Sequence, residues 1–217
     1  MSGGTFTAAM GSSNPPNGSS TQASFDIPAT GTTSSFNMSG GTIVIQKVVQ
    51  AGGVDYRMSA PGTVSITGGT VQFGNASTAG SPNFRIGAAS GATNVLPSLT
   101  INATGTPTVT LNTAATIRGN VTLGTGTTFV ANNMAIAVTG NTLPGTATGN
   151  WTNNGGTFTA GTSVVTFNGT TQAIAGSSAT TFATLTIANG STTTGTTAPT
   201  VTNFNLNAGS KYIHPTA

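Results

Sequence analysis

The feature that most constrains this chain is a rhythm, stated most compactly in residues 155–189, GGTFTAGTSVVTFNGTTQAIAGSSATTFATLTIAN. Short runs that alternate apolar with hydroxyl side chains (Thr157-Phe158-Thr159, Val164-Val165-Thr166-Phe167, Ala173-Ile174-Ala175, Leu185-Thr186-Ile187) are separated by Gly, Ser, Thr and Asn. Alternation on a two-residue period, bounded by turn formers, marks half-buried β-strands, and no helical apolar period competes with it. The same rhythm runs through Phe25-Asp26-Ile27, Phe36-Asn37-Met38, residues 42–49, Tyr56-Arg57-Met58, Val71-Gln72-Phe73, Phe84-Arg85-Ile86, Leu99-Thr100-Ile101, Val109-Thr110-Leu111 and Val121-Thr122-Leu123. The chain is expected to be all-β. Residues 10–22, which contain Pro15-Pro16, are expected to form a long loop because proline cannot donate to a strand ladder.

Internal similarity decides which all-β architecture. Gly3-Gly4-Thr5-Phe6-Thr7-Ala8 is identical to Gly155-Gly156-Thr157-Phe158-Thr159-Ala160, and residues 62–123 resemble 156–207. In that longer alignment Phe73 matches Phe167, 94 residues on, whereas Leu99 matches Leu185, 86 residues on. Repeats of small strands with drifting loop lengths predict one elongated parallel β-helix, or β-solenoid, over 1–217, in which each coil lays a strand on the one before. Tandem immunoglobulin-like sandwiches are the rival reading, since a spacing near 90 residues suits such domains. Gly-Gly-Thr steps at Gly40-Gly41-Thr42 and Gly68-Gly69-Thr70 are expected to turn tight corners.

Composition narrows the function classes. Charged residues are 3% of the 217, against roughly 25% in an ordinary soluble chain. Solubility must then come from Thr, Ser and Asn. Disorder is disfavoured, because disordered chains usually combine low hydrophobicity with high net charge, whereas here the net charge is +3 and the mean hydropathy +0.10. The cations Lys47, Arg57, Arg85, Arg118 and Lys211 are scattered singly, so the high isoelectric point is no nucleic-acid signal; phosphate binding needs a clustered stripe. Cysteine is absent, which excludes disulfides and thiolate metal sites. No apolar run approaches the 18 or more residues of a membrane span, and the N-terminus has neither the basic nor the apolar region of a secretory signal.

The segment GTSVVTFNGTTQAIAGSSATTFATLTIANG resembles the Thr/Gly/Asn-rich repeats of very long bacterial secreted and cell-surface proteins, the adhesin-like β-helix chains similar to autotransporter passengers. The resemblance implies a right-handed parallel β-helix, an extracellular location and a structural or adhesive role. It brings no catalytic residues with it.

The residues themselves offer no catalytic, cofactor-binding or metal-ligating set. Acid/base chemistry on β-helices needs clustered carboxylates, and here there are two acids, Asp26 and Asp55, 29 residues apart. His214 lacks partners for a triad or a metal. Asp55-Tyr56-Arg57 reads as a salt-bridged corner or a small binding patch, and Trp151 as a core or coil-capping residue, or, in an adhesin, as a platform for a sugar ring. Asn-x-Ser/Thr sequons at Asn17, Asn37, Asn75, Asn102, Asn120, Asn150, Asn168 and Asn189 are what so hydroxyl-rich a chain produces by chance. Thr-x-Thr with an apolar centre begins at Thr5, Thr108, Thr157, Thr184 and Thr200. A flat rank of such threonines could bind ice, but the separations of 103, 49, 27 and 16 residues argue against a single even rank. The expected function is therefore that of a non-enzymatic extracellular structural protein that pairs with copies of itself or with the remainder of a longer chain to build a filament or sheath. Adhesion to a glycan or a cell surface, and ice binding, are the alternatives.

Overall fold

The computed structural model describes residues 1, 3–8, 24–27, 35–48, 53–58, 63–88, 94–102, 104–140, 149–188 and 191–215. Among them there is no helix, and every strand pairing is parallel. Parallel neighbours need crossover connections rather than hairpins. The chain is a parallel β-helix, and antiparallel immunoglobulin-like sandwiches are ruled out.

Three sheets run along the axis. The longest has nine strands: Thr5–Ala8, Ser35–Ile45, Thr63–Phe73, Ser98–Ile101, Val121–Leu123, Trp151–Asn153, Thr171–Ala175, Thr192–Gly195 and Lys211–Ile213. A second comprises Asn94–Leu96, Ala115–Ile117, Ile136–Val138, Val164–Phe167, Thr181–Ile187 and Thr200–Leu206. A third comprises Phe25–Ile27, Tyr56–Met58, Asn83–Gly87, Thr108–Leu111, Thr128–Val130 and Thr157–Thr159. The third sheet stops at Thr157–Thr159, so the coils beyond it are two-sided. Where it ends, Phe182 of the next coil packs on the last strand's Phe158 at 5.7 Å and on Trp151 at 5.2 Å.

Alternation on the strands becomes columns along the axis. In the nine-stranded sheet Ile43, Val71, Leu99, Val121, Trp151 and Ile174 stack in register, all buried. In the second sheet Leu96, Ile117, Val138, Phe167 and Ile187 do the same. In the third, Phe84, Val109, Phe129 and Phe158 line up. Burying each large side chain contributes about 1.5 to 3 kcal/mol, and a single coil buries too few of them to offset its conformational entropy. Stacking supplies the rest.

The register stays intact although the coils differ in length. Phe6 pairs with Ile43, Ile43 with Val71, Val71 with Leu99, Leu99 with Val121, Val121 with Trp151, Trp151 with Ile174 and Ile174 with Gly195, so successive coils take 37, 28, 28, 22, 30, 23 and 21 residues. The surplus goes into turns. The expected corners are real: Gly41 and Gly69 have φ of 80° and 97°, and the strands Ser35–Ile45 and Thr63–Phe73 run through them with a register shift instead of breaking in two. The run expected over 42–49 ends as a strand at Ile45. Asn94–Leu96 and Thr192–Gly195 are strands that the sequence pattern does not announce. The loop expected over 10–22 lies outside the described residues, apart from the sequence that flanks it.

The matching sequence segments do not occupy matching places. Thr5–Ala8 is in the nine-stranded sheet and Thr157–Thr159 in the third, while Val71-Gln72-Phe73 and Val165-Thr166-Phe167 lie in the first and second sheets respectively.

Candidate functional site

The charged residues of the lower coils are arranged as offset pairs, each aspartate engaging an arginine one rung farther along. Arg57 lies opposite Asp26 in the ladder and grips its carboxylate with two donors, Nε at 2.9 Å from Oδ1 and an Nη against Oδ2. That hydrogen bond, together with the charge of Asp26, raises the pKa of Arg57 further against the opposing effect of burial. Asp55 is fully buried; its Oδ2 accepts the backbone N–H of Arg85 at 2.7 Å and stands 4.0 Å from Arg85 Nε. The two acids do sit on neighbouring coils, but each is committed to an arginine. Between them Tyr56 is enclosed, its hydroxyl donating to the Val95 carbonyl at 3.0 Å, and burial pushes its pKa well above the ordinary phenol value. The Asp55-Tyr56-Arg57 cluster is a structural corner joining rungs and sheets.

Trp151 cannot be a sugar platform as it stands. It is 0% exposed, and its indole N–H donates to Thr180 Oγ1 at 3.1 Å. Burial with its N–H paired is the usual fate of a core tryptophan. His214 is exposed, with Nδ1 2.8 Å from the Pro215 carbonyl oxygen. Among the described residues no three of His, Cys, Asp or Glu lie together as a metal-binding group. Several sequon asparagines serve the backbone instead: Asn120 Oδ1 accepts Asn150 N–H at 2.9 Å, and Asn150 Oδ1 accepts Ala173 N–H at 2.8 Å, one rung to the next. Asn17 and Asn189 lie outside the described residues.

The most demanding polar site is one that sequence reading missed. Gln172 is buried, 2% exposed, where the first and second sheets meet. Its Nε2 donates to the Val138 and Gly149 carbonyls at 3.0 and 2.7 Å, and its Oε1 accepts Gly169 N–H at 2.7 Å and Ser191 Oγ–H at 3.1 Å. All of the amide's donors and acceptors are used, across four coil segments. In the sequence it is one polar residue in a Thr-rich run, with nothing to distinguish it.

The surface with unmet demand is the last described rung. Leu185 pairs with Phe204 and Ile187 with Leu206, so both residues continue columns whose earlier members are fully buried. Phe204 and Leu206 are nevertheless 45% and 50% exposed: among the described residues the Tyr212 ring meets the Phe204 ring edge-on at 5.5 Å, and no further strand of this sheet covers either. At the opposite end of the nine-stranded sheet Phe6, in register with buried Ile43, is 49% exposed. Thr200–Leu206, Lys211–Ile213 and Thr5–Ala8 are edge strands. Thr200–Leu206 carries no charge, proline or bulge, the usual devices that blunt an edge.

Comparison with family models, with curated proteins and with solved structures finds no match to this chain. The reading of its function rests on its own geometry.

Proposed function

We propose that this chain is a structural, non-enzymatic subunit of an extracellular filament or sheath, in which copies stack end to end along the β-helix axis. The observation that carries the reading is the open rung of Phe204 and Leu206, two core-column residues left about half exposed. All strands run parallel, so translating a copy along the axis brings its Thr5–Ala8 edge against the Lys211–Ile213 edge of the copy before it with strand direction preserved. Such a contact joins two different surfaces and does not close, which makes a filament. In such a stack side chains of the next copy cover the exposed halves of Phe204 and Leu206, on the order of 1 kcal/mol each, while the ladder hydrogen bonds form between the nine-stranded sheet edges alone, since the second sheet has Asn94–Leu96 as its other edge; assembly therefore depends on concentration. The near absence of charge removes repulsion between copies.

The test is sedimentation over a concentration series with electron microscopy of the 217-residue chain. Wild type is expected to form linear polymers at high concentration, and the double variant Phe204→Asp/Leu206→Asp to remain monomeric with an unchanged circular dichroism spectrum. A wild-type chain that stays monomeric at every concentration, with no polymer visible, would sink the proposal.

A further inference from the structure

The outward face of the nine-stranded sheet is a second surface, independent of the open rung. Register places two columns along it. One runs Thr5, Thr42, Thr70, Ser98, then the residues preceding each later inward position, Asn120, Asn150, Ala173 and Thr194. The other runs Thr7, Val44, Gln72, Thr100, Thr122, Thr152 and Ala175. As far as Thr194 neither column contains a charged or aromatic residue; Ile213 follows Thr194 in register, Lys211 ends the face opposite Thr192, and Val44 is buried rather than exposed. With strands about 4.8 Å apart and alternate residues about 6.6 Å apart, the columns form a two-dimensional grid roughly 34 Å long.

The uneven Thr-x-Thr spacing argues against a single even rank of those motifs, but the register of the sheet does not depend on that spacing. Coil length varies in the turns while the ladder keeps its register. The motifs themselves are dispersed: Thr5 is in the first sheet, Thr108 and Thr157 in the third, Thr184 and Thr200 in the second. The rank is assembled from threonines that share a column rather than a motif.

We infer that this face binds ice. The side chains in the first column are held in place from rung to rung, Ser98 Oγ accepting Asn120 N–H at 3.1 Å, Asn120 Oδ1 accepting Asn150 N–H and Asn150 Oδ1 accepting Ala173 N–H. Beside them the hydroxyls of Thr100, Thr122 and Thr152 make no side-chain hydrogen bond to the described protein and remain partly exposed, free to bond to water. A β-branched threonine has few χ1 options, so each of these residues presents a hydroxyl beside a methyl in a fixed orientation. A rigid, uncharged grid of hydroxyls, methyls and the anchored amides Asn120 and Asn150 orders water into a lattice, whereas charged side chains would hold mobile ions and their own hydration. A neutral glycan is the less suitable occupant, because sugar rings are taken by exposed aromatic faces and this surface has none.

The experiment is partition of the 217-residue chain into slowly grown polycrystalline ice, together with the shape of single crystals grown in its presence. The stacking-deficient Phe204→Asp/Leu206→Asp background is run in parallel, so that loss of assembly and loss of ice binding are read separately. Wild type and that background are both expected to be enriched in ice and to facet the crystals. Thr122→Tyr, which raises a bulky ring in mid-face, is expected to lower partition at least tenfold, as is Thr100→Lys should the first variant fold poorly. Thr166→Tyr, on the outward face of the second sheet, should leave partition unchanged. Exclusion of the folded wild type from ice, or equal loss in the Thr166 control, overturns the inference. So does a Thr122→Tyr variant that alters sedimentation but not ice uptake, since that would make the face a lateral contact between copies.

Discussion

Replacing Gln172 by alanine tests the central physical claim, that the coils are clamped together by a few fully satisfied buried polar groups as well as by apolar columns. The amide makes four hydrogen bonds in a site that water does not reach. The Val138 carbonyl keeps a second partner after the change, Asn168 N–H at 3.2 Å. Gly169 N–H, the Gly149 carbonyl and Ser191 Oγ lose the bonds they make to it. Each buried group so stranded costs about 1 to 3 kcal/mol, and relaxation recovers part of that, which puts the loss at roughly 3 to 5 kcal/mol. Against a total stability of about 5 to 15 kcal/mol the effect is large. Equilibrium urea unfolding followed by circular dichroism measures it, and Thr122→Ala, an outward threonine, serves as a control expected within about 0.5 kcal/mol of wild type. Hydrogen exchange should show the protection loss concentrated in the strands Ile136–Val138, Thr171–Ala175 and Thr192–Gly195, because solenoid stability is a sum of neighbour contacts. A loss below about 1 kcal/mol for Gln172→Ala would refute the reasoning, since it would mean that water satisfies the stranded groups.

Two further outcomes follow from local geometry. Gly176 has φ of 117°, and a β-carbon there would press into the Asn153 carbonyl, so Gly176→Ala is expected to lower the melting temperature markedly, whereas Gly80→Ala, with open space at its φ of 69°, should cost only its backbone strain; differential scanning calorimetry of the pair makes the comparison. Tyr56 is held neutral by burial, so its folded-state pKa lies above the unfolded value near 10. Its contribution is intact below about pH 10 and lost as the pH rises beyond that, because the unfolded chain releases a proton that the folded chain retains. Stability measured from pH 8 to 11.5 should fall at the alkaline end, and Tyr56→Phe should flatten that fall while giving up about 1 kcal/mol at pH 8 for the lost bond to Val95. An alkaline slope unchanged in the variant would show that another group is responsible.

Much of the fold is legible in the chain because alternation is a local property. Val121-Thr122-Leu123 and Val165-Thr166-Phe167 declare which side chains turn inward whatever they stack upon, and the scarcity of charge declares that the outward faces are hydroxyl and amide. Asn94–Leu96 and Thr192–Gly195 are hidden for the complementary reason: they carry polar residues at buried positions, Asn94, whose amide bonds to Met58 N–H and Thr113 Oγ1, and Thr193, whose hydroxyl has no partner among the described residues. Trp151 looked like a possible platform because nothing in a sequence separates a buried ring from an exposed one; Phe158, Phe182 and Thr180 close over it from other coils.

What the amino-acid order determined by itself was therefore the period, the turns and the polarity of each position. Which run lies beside which was decided only in three dimensions. Identical segments at Thr5 and Thr157 went to different sheets, one with its phenylalanine half exposed and the other with it buried. The physical reason is that a strand's own pattern says which of its sides is apolar, while its address depends on how many residues the turns before it consumed. Ladder hydrogen bonds and close packing reward register and are indifferent to the length of chain between rungs. The same tertiary rule gathered scattered threonines into columns and left Phe204 and Leu206 about half exposed at the last described rung of theirs.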